Sequence, residues 1–289
     1  MKCIYNYDIF RKDNGGEVRY FSIILLVLVL PVNIYGFNIK DYDVNRSVNE
    51  KVVPTISQLE DARFLSDTIS KINNYIKNNP KDVNGYILRN LYVFMLWDVY
   101  PLSLKKQLTI LGMKYSIETS KKFPENADGW TNRAIFLGIY GLEKGVLNAL
   151  QLAPTIKKYC EKSRKINKTH YYSIATQVLG RMYFKLPPFP TSFGDEAKGE
   201  IYLKEVLKNA PGLVNNYVYL AEIEFAKGHS KKSIQWLSKI EKIKPKTWYE
   251  KREKIRILRI VPKLKKMFKN GTFDKMDYDI LLDTKRNKD

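Results

Sequence analysis

The sequence predicts an all-α protein built from a tandem array of helix hairpins. A segment that begins with proline recurs along the chain at near-constant intervals. Between these segments, apolar residues recur at the three- and four-residue spacing of amphipathic helices. The 289 residues include 20 Tyr and 13 Phe but only 15 Gly and 12 Pro, which favours long regular elements over a loop-rich all-β fold.

The recurring segment gives the repeat length. The copy that starts at Pro80 (PKDVNGYILRN) matches the copy at Pro124 (PENADGWTNRA) in residue type at most positions, 44 residues later. A third copy starts at Pro211, a weaker one lies around 167–175, and the last interval, to Pro245, is 34 residues. A 34-residue unit with a junction proline, an aromatic residue and then a small residue is typical of tetratricopeptide repeats. The sequence therefore predicts a tetratricopeptide-like solenoid of about four to five hairpins, with the unit expanded in three intervals.

Within the repeats, small residues should let neighbouring helices approach closely, and aromatic residues should fill the space between them. The small residues are Ala134, Ala175 and Ala221, and the aromatic ones include Trp130 and Tyr217. The additional residues of the 44-residue intervals must either lie between helices or extend them, and they are expected at Tyr100–Pro101, at Gln151–Pro154 and at Pro187–Pro190.

Capping residues, prolines and apolar periodicity together predict the order of the elements. The expected helices span about 55–79, 83–98, 103–121, 127–142, 144–163, 169–185, 195–209, 213–227, 230–242 and 247–269. The last of these is long and basic, and Pro262 should kink it.

The N-terminal residues resemble a secretory signal peptide. Arg11, Lys12 and Arg19 precede an apolar run from Phe21 to Pro31, and the small residue Gly36 follows. The run is shorter than the roughly 20 apolar residues that span a bilayer. We therefore expect export, with cleavage after Gly36; the alternative is an uncleaved membrane anchor. The eighteen or so residues before the run are long for such a signal, so a translation start near Val18 also stays open.

The predicted organisation thus has four parts. They are a signal peptide at 1–36, a linker at 37–54, the helical repeat domain at 55–270 and a polar tail at 271–289.

The net charge of +20 would attract anionic partners. The basic residues are nevertheless spread through the predicted helices, and no nucleic-acid-binding signature accompanies them. We therefore expect no nucleic-acid partner.

No catalytic or metal-binding motif stands out. The two histidines, His170 and His229, fall in different repeats, and HExxH, CxxC, GxSxG and phosphate-loop patterns are absent from the sequence. Cys160, the one cysteine after the predicted signal, is expected to be a small buried hydrophobic residue. The sequence predicts no enzyme, no cofactor and no metal.

The connection after the sixth expected helix carries a family resemblance. Pro187-Pro188-Phe189-Pro190 must end a helix, Phe193-Gly194-Asp195 restarts one, and a helical stretch follows from Tyr202-Leu203 to Ala210-Pro211. Over about 171–245 the chain resembles the T-component family of tripartite ATP-independent periplasmic (TRAP) transporters, and before that it is similar only in architecture. Gly199 departs from the pattern, since tetratricopeptide helices usually place Ala there.

The resemblance implies a periplasmic helical-repeat protein that associates with the solute-binding component of an uptake system and assembles as an oligomer. It also implies that small organic anions are candidate ligands, since carboxylate substrates are common in such systems. A general exported scaffold for protein–protein interaction, holding peptides in a concave groove, is the alternative.

Two sets of site residues follow. The stiff aromatic loop residues Pro188, Phe189, Pro190 and Phe193 are candidates for partner contact, although both Phe side chains could instead pack onto the helices. Tyr86, Arg89, Trp130 and Arg133 occupy equivalent places in two repeats and are candidates for binding an anion. Alternatively, Asp98, Glu118 or Asp128 could pair with the two arginines as structural ion pairs.

Overall fold

The computed structural model describes residues 8–12, 18–22, 40, 43, 55–169 and 173–272. The chain divides into two compact units, Met1–Phe37 and Asn38–Asp289. Most of the predicted signal run, its cleavage site, most of the linker at 37–54 and nearly all of the tail at 271–289 lie outside the described residues.

The first unit contains a β-hairpin that the sequence did not predict. Strands β1 (Asp8–Lys12) and β2 (Val18–Ser22) pair antiparallel, with Asp8 opposite Ser22 and Phe10 opposite Tyr20. The β-branched and aromatic residues of both segments favour strands. The hairpin lies in the segment predicted to be a signal peptide, outside the helices that the sequence predicts from residue 55 onward.

The described part of the second unit is helical. Its eleven helices are α1 (Ile56–Leu59), α2 (Ala62–Asn78), α3 (Val83–Val99), α4 (Leu102–Lys122), α5 (Ala127–Glu143), α6 (Val146–Ile166), α7 (Ile174–Lys185), α8 (Glu196–Asn209), α9 (Asn215–Ala226), α10 (Ser230–Lys242) and α11 (Trp248–Asn270). Among the described residues, no helix is both long enough and apolar enough to cross a bilayer.

Most helix ends lie within a few residues of the predicted positions, with one clear difference. The expected helix over 55–79 is divided into α1 and α2, because the Asp61 carboxylate accepts hydrogen bonds from the backbone N–H groups of Arg63 and Phe64 and starts a new helix. The additional residues at Gln151–Pro154 extend a helix, since Pro154 is exposed inside α6, which spans 21 residues, and the expected helix over 144–163 already includes them. Helix α11 likewise continues through Pro262.

Each helix packs on the next one along the chain, and the alternate helices α3, α5, α7, α9 and α11 also contact one another in succession. This arrangement requires neighbouring helices to approach one another closely. Ala134, Ala175 and Ala221 are all buried, as the repeat predicts. At Gly199 a Cβ atom would lie 2.9 Å from the Gly180 carbonyl oxygen, so α7 and α8 are closer there than an alanine allows.

One hydrogen bond explains why a proline and an aromatic residue recur together. The Tyr86 hydroxyl donates to the Pro80 carbonyl (3.3 Å), the Trp130 indole N–H donates to the Pro124 carbonyl (2.8 Å), and Tyr217 donates to Pro211 (3.0 Å). In each case the aromatic residue follows its proline by six positions. The aromatic ring thus packs between helices while its polar end satisfies the carbonyl at the start of the turn.

The last helix contacts the first ones. Helix α11 packs against α1, and its Arg252 and Arg256 form ion pairs with Asp98 on α3 at 2.7 and 2.6 Å. The side chain of Arg252 is fully buried. The predicted basic C-terminal helix therefore places part of its charge inside the protein.

Candidate binding sites

The connection between α7 and α8, here called the proline loop (residues 186–195), is tied to the preceding helix. The backbone N–H of Asp195 donates to the Tyr183 carbonyl (2.7 Å), and that of Gly194 donates to the Pro187 carbonyl (2.9 Å). A Cβ atom on Gly194 would overlap the Leu186 carbonyl oxygen, so only glycine fits. The Asp195 side chain then caps α8, as predicted, by accepting from the N–H of Lys198 (2.9 Å).

The two phenylalanines of the proline loop lie in different environments. Phe193 packs edge-on against Tyr183, with ring centroids 5.3 Å apart, and the Lys157 ammonium lies 4.8 Å from its ring centroid. Phe189 is 86% exposed, between the exposed Pro188 and Pro190. Phe193 therefore holds the loop down, while Phe189 is presented to solvent.

Other exposed apolar side chains occur near the connections between the two helices of a hairpin. Most of the large apolar side chains that are exposed in the described residues lie in, or within one helical turn of, the α3–α4, α5–α6 and α7–α8 connections, whereas Ile110 and Ile201 lie farther along α4 and α8. The exposed side chains are those of Leu104, Ile110, Leu142, Val146, Leu147, Phe189 and Ile201. Because consecutive helices pack pairwise and these connections alternate with the proline junctions, the exposed apolar residues avoid the proline-junction end of each hairpin.

Arg89 in the first hairpin (α3–α4) already has internal partners. Its guanidinium donates to the Glu118 carboxylate at 2.7 Å and to Asn73 at 3.4 Å, and its carbon lies 3.8 Å from the ring centroid of Tyr115. Tyr86 is buried, and its hydroxyl also accepts from the Lys122 ammonium (2.6 Å). Glu118 is one of the structural partners that the sequence suggested for Arg89.

Arg133 in the second hairpin (α5–α6) has a different environment. Its guanidinium carbon lies 4.5 Å from the ring centroid of Tyr159 and 5.5 Å from that of Trp130. The Lys162 ammonium lies 3.8 Å from the same indole ring. Across 55–169 and 173–272 no carboxylate forms an ion pair with Arg133 or Lys162.

The four predicted anion-binding residues are thus divided between two hairpins, each arginine stacking on rings of its own hairpin. Asp98, another suggested partner, pairs instead with Arg252 and Arg256. The sequence did not single out Tyr115, Tyr159 or Lys162. Tyr115 and Tyr159 are 44 residues apart, as are Glu118 and Lys162, so extending the repeat alignment into the second helix of each hairpin would have found them.

The described residues hold no group of three or more His, Cys, Asp or Glu side chains placed to bind a metal ion. His229 pairs with Glu224 at 2.8 Å, and His170 lies outside the described residues. Cys160 is fully buried, and burial raises the pKa of its thiol.

Comparison with protein-family models gives no match, and comparison with curated proteins gives none either. The resemblance to the T-component family therefore rests on the proline loop and the helices on either side of it.

Proposed function

We propose that the protein is an exported, non-catalytic accessory protein whose helices form a tetratricopeptide-like solenoid of four to five hairpins. Its partner in this proposal is the solute-binding component of a TRAP-type uptake system, in the periplasm. The resemblance of residues 171–245 to the T-component family supports this choice of partner, and the regular stacking of α3, α5, α7, α9 and α11 supports the repeat architecture.

The observation that carries the proposal is the exposure of Phe189 on a loop that is otherwise fixed. An aromatic side chain that is 86% exposed loses apolar contact with water only when a partner covers it. The hydrogen bonds of Gly194 and Asp195 and the packing of Phe193 fix the loop beforehand, which lowers the entropic cost of binding.

The experiment is affinity capture from periplasmic extract with the wild-type protein and Phe189→Ala as matched baits. We expect the wild-type bait to retain a solute-binding protein, and we expect Phe189→Ala to lose it while its melting temperature stays within about 1 °C of the wild type. Phe193→Ala serves as the contrast, because removing a packed ring should lower the melting temperature.

The extent of the contact surface is measured with Leu147→Ala, which removes a 74%-exposed side chain at the α5–α6 connection. Loss of capture in this variant would extend the surface beyond the proline loop. If the wild-type bait retains a solute-binding protein that Phe189→Ala retains equally well, the loop is not the contact. Phe189-dependent capture of a different class of protein would favour the general scaffold.

A further inference from the structure

The first and second hairpins make the same arginine–tyrosine contact but differ in the charge beside it. Arg89 lies over Tyr115 and Arg133 lies over Tyr159, and both residues of the second pair follow those of the first by 44 positions. The two hairpins therefore provide an internal comparison of one arrangement with two sets of neighbours.

In the first hairpin the guanidinium is neutralised from within. The Arg89 side chain is only 5% exposed, and Glu118 supplies a carboxylate oxygen at 2.7 Å while Asn73 supplies an amide oxygen at 3.4 Å. Such burial requires an anionic or strongly polar partner, because an unpaired buried charge is costly.

Around Arg133, both equivalent positions carry side chains that cannot accept a hydrogen bond. The position equivalent to Asn73 is Ile117, and the position equivalent to Glu118 is Lys162. Arg133 is half-buried, and in the described residues it makes cation–π contacts with Trp130 and Tyr159 but no ion pair. The position that supplies a carboxylate to Arg89 therefore holds an ammonium group in the second hairpin.

We propose that Arg133 and Lys162 form a carboxylate-binding site against Trp130, in which a ligand supplies the negative charge that Glu118 supplies in the first hairpin. The guanidinium offers a planar pair of donors for the two carboxylate oxygens, and the ammonium adds a second positive charge at the same indole ring. A small organic acid and an acidic side chain of a peptide share this chemistry. The site is independent of the partner proposed for Phe189.

The test measures binding by isothermal titration calorimetry on the full chain, with two probes: glutarate as a small acid and an end-blocked tetraglutamate peptide. We expect saturable binding of at least one probe. Arg133→Gln should weaken the binding at least about tenfold, because the substitution removes the positive guanidinium and its planar pair of donors.

The decisive variant is Lys162→Glu, which places an internal carboxylate where the first hairpin has Glu118. It should weaken binding at least about tenfold, with a melting temperature equal to or above that of the wild type, because Arg133 then gains an internal partner. The matched control is Lys239→Glu, since Lys239 also lies 3.8 Å from an indole centroid, that of Trp236, and no arginine of the described residues lies over that ring. Binding in the control should equal that of the wild type.

Each result has a defined meaning. If glutarate binds and Arg133→Gln weakens that binding, the site is assigned to small acids. If only the peptide binds and Arg133→Gln weakens that binding, the site is assigned to acidic segments. Absence of binding by both probes overturns the site. Equal weakening by Lys162→Glu and Lys239→Glu overturns it as well, because that outcome reflects only the overall positive charge. The Arg133 and Lys162 variants should still capture the partner protein that depends on Phe189, so the two proposals can fail independently.

Discussion

At the scale of single residues, the unusual composition has a structural use. The chain contains 20 Tyr and 50 Lys and Arg residues, and many of the cations lie over aromatic rings. Arg181, for instance, lies 3.9 Å from the ring centroid of Tyr219, and Lys198 lies 4.4 Å from that of Tyr183. Each such contact stabilises by about 0.5–2 kcal/mol depending on burial, so part of the positive charge contributes to packing between helices.

Cys160 gives a residue-scale prediction. The side chain is fully buried between α6 and its neighbours, and burial raises the pKa of the thiol, so the folded protein holds it protonated and shielded at pH 8. We expect a Cys3→Ser variant to react with Ellman's reagent at least about 100-fold more slowly when folded than in guanidinium, because reaction requires local opening. Absorbance after mixing gives the rate.

The same shift has a stability consequence with a definite sign. Because the pKa is raised on folding, the thiol's contribution to stability is fully present below the unfolded value of about 8.5 and declines as pH rises above it. For the exposure test, rapid reaction of the folded Cys3→Ser variant with Ellman's reagent at pH 8 would contradict the buried position of Cys160.

Residue roles could be predicted from the sequence where the repeat or the neighbouring residues fix them. The burial of Ala134, Ala175 and Ala221 follows from their common place in the repeat. The partner of a charged side chain does not follow from its place in the repeat. Asp98 lies on the same helix as Arg89, yet it pairs with α11, because ion pairs depend on which helices the fold brings together.

At the scale of elements, most helix ends are encoded locally. The prolines after Leu186 end α7 and the Asp195 side chain starts α8, since both effects act within one turn of the chain. The single helix expected over 55–79 is the exception. Asp61 lies in an apolar pattern that continues through it, so periodicity alone did not indicate that its side chain starts a second helix.

Asp61 provides the element-scale prediction. Its carboxylate accepts from the N–H groups of Arg63 (2.7 Å) and Phe64 (2.9 Å) at the start of α2. Asp61→Ala should lower the free energy of unfolding by about 1 kcal/mol, measured by urea denaturation monitored by circular dichroism.

The matched control is Asp67→Ala, which removes the same charge from an exposed position inside α2. This change should cost less than about 0.5 kcal/mol, because an exposed residue inside the helix caps no terminus. Equal losses for the two variants would show that the effect of Asp61 is one of charge and not of capping.

At the scale of the whole helical unit, the chain differs from a simple linear array. In linear repeat proteins each unit contacts only its neighbours. Here α11 packs on α1, and the Arg252 side chain donates to the Leu59 carbonyl (3.4 Å) and to Asp98 (2.7 Å). Contacts between residues 154 or more positions apart have no local sequence signal, so this junction could not be predicted.

A buried ionic cluster holds the junction together. Asp98 pairs with Arg252 and Arg256, and Glu253 pairs with both arginines at 2.8 and 2.9 Å while accepting from the Asn215 amide at 3.2 Å. Two carboxylates thus neutralise two guanidinium groups away from water. Such a cluster stabilises only while it is complete, because removing one member leaves a buried charge without its partner.

The final prediction follows from that asymmetry. Asp98→Asn should lower the free energy of unfolding by about 3–5 kcal/mol and the melting temperature by on the order of 10 °C, measured by calorimetry. The control is Glu60→Gln, which breaks the ion pair with Arg259, 49% exposed, at the same junction between α1 and α11; it should cost less than about 1 kcal/mol. If the two variants lose similar small amounts of stability, the cluster does not hold α11 against the first helices of the unit.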